Sequence, residues 1–286
     1  MLTAIKNKKI LFCFFAIILT MQYKSVYAES KLAKESKLDL QTINQFGLSE
    51  GKAFGYKNNK LNFNSFSELP LTSNNSAGLN ISAFAINSKY RNLETQYALT
   101  GVEFFHRYRF YRSNLMSLTI HNSFKPVMLY NENRYLSQMP KQQDYEARLI
   151  IAHNMTDRLV NNVLQNKNNY FLRYEIAYRR KFSNPFDEFK NKLWLGLKIN
   201  EKLAILGQYD LIFNVRSNAN NHDNSFKNAN NFQFSKHANS IANLGLIVKI
   251  NNNLAFNFNV FQRLTGNNPF YDHRGFNLSI WQNFNW

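Results

Sequence analysis

Phe276-Asn277-Leu278-Ser279-Ile280-Trp281-Gln282-Asn283-Phe284-Asn285-Trp286 is the stretch whose reading decides the fold. Its even positions are Phe, Leu, Ile, Gln, Phe and Trp, and its odd positions are Asn, Ser, Trp, Asn and Asn. A strand points alternate side chains to opposite faces, so the pattern predicts a strand with one apolar and one polar side. Gln282 is the one departure on the apolar side.

Moving upstream, the same two-faced pattern recurs. Leu254, Phe256, Phe258 and Val260 oppose Asn257, Asn259 and Arg263. Tyr170, Leu172, Tyr174, Ile176 and Tyr178 oppose Arg173, Glu175 and Arg179. Tyr145, Ala147, Leu149 and Ile151 oppose Glu146 and Arg148, and Val102, Phe104, Tyr108 and Phe110 oppose Glu103, Arg107 and Arg109. From Gly78 onward ten segments read as strands. Their connections alternate between tight (Ser113-Asn114, Glu201-Lys202, Asn251 to Asn253) and long (Phe124 to Gln143, Arg216 to Ser240, Thr265 to Gly275). Bacterial outer-membrane barrels show that rhythm, with short periplasmic turns and longer outer loops. Only Met155 to Asn169 breaks it. The reading is all-β: an antiparallel transmembrane β-barrel of about ten strands, with twelve as the alternative, over 78–286. Phe276, Leu278, Ile280, Phe284 and Trp286 match the signal on a closing strand, which the barrel-assembly machinery would recognise. A secreted β-sandwich would account for the alternation but not for the loop rhythm.

The front of the chain is different. Lys6, Lys8 and Lys9 precede the apolar run Ile10 to Met21, and Val26-Tyr27-Ala28 follows. The run is too short to span a bilayer and fits a signal peptide over 1–28 cleaved after Ala28. Cys13 lies within it, so the exported chain would carry no cysteine, and neither disulfides nor thiolate metal sites are expected. Residues 29–77 read as a periplasmic or plug-like segment. Leu32, Leu38, Leu40 and Ile43 could line a short helix there, and Leu61 to Phe66 could be a strand.

Losing Lys6, Lys8, Lys9 and Lys24 leaves 31 basic against 18 acidic residues, a balance of +13. In a soluble protein this would suggest nucleic-acid binding; export argues against that partner. The expected partners are outer-membrane lipid and lipopolysaccharide. The residues opposite the apolar faces should line the lumen: Glu103, Arg107, Arg109, Glu146, Arg148, Arg173, Glu175, Arg179, Lys198, Asp210, Lys249 and Arg263. Mixed charges there either fill a narrow barrel or favour anion passage. Tyr170, Tyr178, Trp194, Trp281 and Trp286 are candidate membrane-interface aromatics.

Little else carries chemistry. His121 and Ser123 share a face, the arrangement of the His-x-Ser pair in an outer-membrane lipid A deacylase, but no orienting acid or oxyanion donor accompanies them. His106, His153, His222, His237 and His273 are scattered, and no metal or cofactor site is expected. The chain therefore reads as a non-enzymatic channel or porin-like protein for small solutes. The alternative is a surface-exposed adhesin acting through its long loops, foremost the Asn-rich 216–240.

From Leu115 to Val215 the chain resembles a family. The stretches are Ser117 to Pro126 (Ser-Leu-Thr-Ile-His-Asn-Ser-Phe-Lys-Pro), Asp144-Tyr145-Glu146-Ala147-Arg148, Tyr174 to Arg179 and Leu206-Gly207-Gln208-Tyr209-Asp210. They look like the XagA-like group of outer-membrane barrels, related to barrels of phenol-degradation (MetA-type) pathways. The resemblance covers about a third of the chain. It implies an envelope barrel and carries no catalytic residues.

Overall fold

A computed structural model describes residues 39–53, 56–88, 96–126, 143–154, 169–182, 186–216, 239–265 and 272–285. The expected signal segment 1–28 with Ala28, the loop histidines His222 and His237, and Trp286 lie outside these residues.

Twelve strands make up the described structure: β1 (Asp39–Ala53), β2 (Tyr56–Pro70), β3 (Asn75–Ser88), β4 (Gln96–Arg112), β5 (Met116–Lys125), β6 (Asp144–His153), β7 (Tyr170–Lys181), β8 (Phe186–Lys198), β9 (Leu203–Arg216), β10 (Asn239–Lys249), β11 (Leu254–Thr265) and β12 (Asp272–Asn285). Each pairs with its sequence neighbours, and β1 pairs with β12, so the sheet is a closed barrel with no free edge. Closure brings Arg274 Nη2 within 3.1 Å of Glu50 Oε2 and Thr42 Oγ1 within 3.5 Å of Gln282 Oε1.

The barrel thus has twelve strands, the higher of the two expected counts. The two additional strands come from the segment expected to be a plug: β1 and β2 occupy most of 29–77, and Leu40 and Ile43 belong to a strand, not a helix. The physical reason is their weak two-facedness. On β1 and β2 the polar Thr42, Asn44, Ser65 and Ser67 share the outward parity with Phe46, Leu48, Leu61 and Phe63. Ile43 and Phe66 meanwhile line the inside. Ser65 Oγ donates to Asn44 Oδ1 at 2.8 Å, a cross-strand bond that fixes register where apolar contrast is low. A second correction concerns β8: the alternation predicts a strand over Leu193 to Asn200 after a loop over Ser183 to Lys192, whereas the strand begins at Phe186, so Lys190 and Lys192 are strand residues.

Among the described residues, four tight turns lie at one end: Leu71 to Asn74, Ser113 to Leu115, Ile199 to Lys202 and Ile250 to Asn253. Backbone bonds tie neighbouring turns together there, as from Lys249 N to Lys202 O and from Asn283 N to Asn253 O. This is the end at which β1 starts and β12 finishes, and by the rule for such barrels it faces the periplasm.

Large apolar side chains stand exposed on the outer surface, among them Phe104, Leu195, Leu244, Leu246, Phe258 and Phe276. On a closed barrel such a band is what faces lipid. Phe276, Leu278, Ile280 and Phe284 share this outward parity on β12, opposite the buried Ser279, Trp281 and Asn283. Inside, aromatics are accommodated by glycines directly across the ladder. Phe105 faces Gly78, Phe171 faces Gly196, and Phe261 faces Gly275. At each glycine a Cβ would collide with the facing ring. Gly101, at φ 153°, sits at a bulge where β4 slips by one residue against β3.

Candidate functional site

The lumen holds the candidate site. Twelve strands give an interior wider than side chains of an eight-stranded barrel would fill, and narrower than a sixteen-stranded porin. Within it is a cavity of about 680 Å³, lined from every strand except β5.

One wall, on β4 to β9, is ionic. Glu175 sits between two guanidiniums: Arg173 Nε donates to its Oε1 at 2.6 Å and Arg148 Nη1 to its Oε2 at 2.5 Å. Arg148 Nε also donates to Glu146 Oε1 at 3.0 Å. Glu146 Oε2 accepts from Arg179 Nε at 2.8 Å and from Lys190 Nζ at 3.2 Å. Towards the outer mouth Lys190 reaches Glu188 Oε2 at 3.2 Å, and Lys181 pairs with Glu188 as well. Deeper, Lys192 Nζ is 3.7 Å from Asp210 Oδ1, whose other oxygen accepts from Gln208 Nε2 at 2.6 Å. Two residues along a strand bring side chains to the same face, which is why Glu188, Lys190 and Lys192 form one rail beside Arg173, Glu175 and Arg179. Of the cavity-lining residues, Lys60, Arg107, Arg148, Arg173 and Lys192 are cations and Glu68, Glu175 and Asp210 are carboxylates. The balance is cationic.

The facing wall, on β10 to β12 and β1 to β3, is amide-rich. Asn62, Asn64, Asn80, Asn243, Asn259 and Asn277 all line the cavity, and Asn277 Nδ2 donates to Asn259 Oδ1 at 3.0 Å. Near the periplasmic end the lumen is packed with apolar residues. Ala152, Phe171, Ala204, Leu206, Ile247, Ala255 and Trp281 form one buried cluster, with Ile43 and Trp194 against it. Each of the seven lies within five residues of the periplasmic end of its strand.

Every predicted lumen residue has inward parity. Arg107, Arg148, Arg173, Glu175 and Asp210 line the cavity, Glu146 and Arg179 complete its ion network, and Glu103, Arg109, Lys198, Lys249 and Arg263 occupy inward positions beyond the cavity lining. Lys60, Glu68, Lys190 and Lys192 went unrecognised. For Lys190 and Lys192 the signal was present, as the alternation Lys190-x-Lys192-x-Trp194 against Asn191, Leu193 and Leu195. Lys60 and Glu68 lie on a strand without such contrast. The expected interface aromatics divide. Tyr170 and Tyr178 are exposed on the outside, whereas Trp194 and Trp281 point into the lumen, because each stands one residue out of step with its strand's apolar row.

His121 and Ser123 are both buried on the inner face. The His121 ring stacks on Phe105 at 5.1 Å, and its Nδ1 accepts from Arg107 Nε at 2.9 Å. Arg107 in turn gives Nη1 to Glu68 Oε2 at 2.6 Å. The nitrogen that an orienting acid would occupy in a Ser–His pair is thus bound by a guanidinium. His106 is exposed on the outer face, His153 stacks on Tyr170 at 6.0 Å, and His273 lies on β12.

No protein-family model and no curated protein matches this chain. Solved structures do. An outer membrane channel from Pseudomonas putida F1 superposes with a TM-score of 0.63 at 8% identity, covering 88% of this chain and 97% of its own. The NanC porin superposes with a TM-score of 0.52 at 9% identity, covering 85% of this chain and 98% of its own. The fold is that of outer-membrane β-barrels.

Proposed function

We propose that this protein is an outer-membrane channel for small anionic solutes. The observation that carries the reading is the cavity lining, in which Lys60, Arg107, Arg148, Arg173 and Lys192 outnumber Glu68, Glu175 and Asp210. Fixed charges in a narrow, low-dielectric passage raise the local concentration of counter-ions and set which sign crosses. The carboxylates have a structural part in this. They hold the guanidiniums and ammoniums in a rail along one wall, so the cations face the lumen instead of repelling each other.

The test is the reversal potential of the purified barrel in a planar bilayer under a potassium chloride gradient. Anion selectivity is expected. Lys60→Gln with Lys192→Gln should reduce it, with heat-modifiable gel mobility reporting that the variant is folded. A cation-selective current, or none under any condition, overturns the reading.

A further inference from the structure

Lys192 on β8 is more open to the lumen than the other paired cations of the ionic wall. Its side chain is 32% exposed, against 21% for Arg179 and 20% for Arg148. Its Nζ stands 3.7 Å from Asp210 Oδ1, longer than a hydrogen bond, so the ammonium keeps donors for a solute. The same Nζ lies 5.4 Å from the centroid of the Trp194 ring, two residues along the strand. Around the barrel the ladder row of Lys192 continues to Asp210 and Ile241. The row of Trp194 continues to Gln208, Asn243 and Phe261. Trp194, Ile241 and Phe261 line the cavity and are only half-buried, so a cation and accessible apolar surface stand side by side. On the facing wall Lys60 repeats the arrangement, with its Nζ 5.0 Å from the centroid of the Phe84 ring.

Each class of occupant can be weighed against this surface. Apolar side chains open to an aqueous passage are unfavourably hydrated, and a solute gains by covering them. A bare inorganic anion meets Lys192 but leaves Trp194, Ile241 and Phe261 wet. A polyhydroxylated acid brings a hydrated body that gains little from aliphatic surface. A neutral hydrocarbon covers the apolar side chains but strips water from Lys192 and Arg148 without supplying a counter-charge. A carboxylate on a hydrocarbon body does both: its head takes the ammonium donors and its body covers the apolar side chains. The volume of about 680 Å³ falls within the range of small-molecule sites.

We propose that the lumen holds a binding site for small amphipathic carboxylates, with the carboxylate on Lys192 and the hydrocarbon body against Trp194, Ile241 and Phe261. This site rests on reading the lumen as an anion pathway, and it names the class of anion that the pathway prefers.

The experiment titrates the refolded barrel with butyrate, pentanoate and hexanoate, following tryptophan fluorescence, and repeats the series against single-channel chloride current. Gluconate, with the charge and carbon number of hexanoate, and hexan-1-ol, with its chain but no charge, complete the set. The acids are expected to saturate the fluorescence change and block the current. Their affinity should rise about twofold to fourfold with each methylene, the worth of its burial. Gluconate and hexan-1-ol should bind at least tenfold more weakly than hexanoate. Ile241→Asn should flatten the series, and Lys192→Gln should weaken all three acids alike, with heat-modifiable mobility reporting folding. Leu244→Ala, on the outer face, should leave the titration unchanged. Equal binding of gluconate and hexanoate by the wild-type barrel overturns the site. A series that climbs as steeply in Ile241→Asn also overturns it, because the slope then comes from partition into detergent or bilayer. Anion current without saturable hexanoate binding overturns the site and leaves the channel. Saturable binding without current overturns the channel and leaves a carboxylate receptor in the lumen.

Discussion

Arg107 on β4 reaches past β3 to place its Nη1 2.6 Å from Glu68 Oε2 on β2, and both side chains are buried. The same guanidinium donates to His121 on β5 and lies over the rings of Phe66 and Phe105, 5.3 and 5.1 Å from their centroids. One side chain therefore couples three strands, β2, β4 and β5. Ser76 Oγ donates to Glu68 as well, so both carboxylate oxygens are engaged.

Glu68→Gln should leave Arg107 buried without its counter-charge. Breaking one partner of a buried pair costs about 3–5 kcal/mol, whereas replacing both by apolar residues of similar size is far milder. Urea refolding into detergent micelles, read by heat-modifiable mobility, should show a large fall in midpoint for Glu68→Gln. The double variant Glu68→Met with Arg107→Met should recover most of it. Equal midpoints in single variant and wild type would show that the pair contributes nothing.

Gly196 lies directly across from Phe171, and any Cβ there would enter the ring. Gly196→Ala should destabilise the barrel by about 1–3 kcal/mol, the usual cost of overpacking. Phe171→Leu in the same molecule should relieve part of that cost, because the clash is with the ring and not with backbone. A Gly196→Ala barrel that refolds like wild type would mean that the ring moves aside freely.

The strands legible in the sequence were those with sharp chemical contrast between faces. Tyr174 and Ile176 against Arg173 and Glu175 announce β7 without ambiguity, and the closing strand reads equally well up to Phe284. β1 and β2 do not, because Thr42, Asn44, Ser65 and Ser67 dilute the outward face while Ile43 and Phe66 turn inward. Their place is set by ladder partners, and pairing between distant stretches leaves no mark on local composition. The ionic half of the site was visible for the same reason as β7. The apolar floor was not: an inward tryptophan looks like an interface tryptophan until its parity is fixed, and Trp194 lies just after Ser183 to Lys192, whose composition reads as a loop.

Adjacent residues Asn243 and Leu244 test the assignment of faces. Asn243 lines the cavity, while Leu244 is exposed on the outer wall. Leu244→Arg would place a charge against lipid, at a cost of about 2–4 kcal/mol near the midplane. It should lower assembly into liposomes and leave the selectivity of correctly folded molecules unchanged. Asn243→Arg should do the reverse, folding normally and raising anion preference. The two readouts are folded fraction on gels and reversal potential. Exchange of the two phenotypes would mean that the barrel is inside out relative to this description.

The apolar cluster at the periplasmic end makes the last prediction. Phe171, Ile247, Leu206 and Trp281 pack where a water-filled porin would be open, and a hydrophobic constriction of this kind resists wetting and therefore ion flow. The wild-type barrel should accordingly show low single-channel conductance despite its charged wall. Shortening two rings at once, Phe171→Ala with Trp281→Ala, removes apolar volume from adjoining parts of the cluster without touching any ion pair. Conductance should rise severalfold, and the rise should be larger for chloride than for potassium, since the ionic wall above remains in place. Trp281→Phe serves as the control for ring loss, because it keeps the packing and should conduct like wild type in chloride alone. If the double alanine variant folds and its conductance stays at the wild-type level, the cluster is not what limits passage.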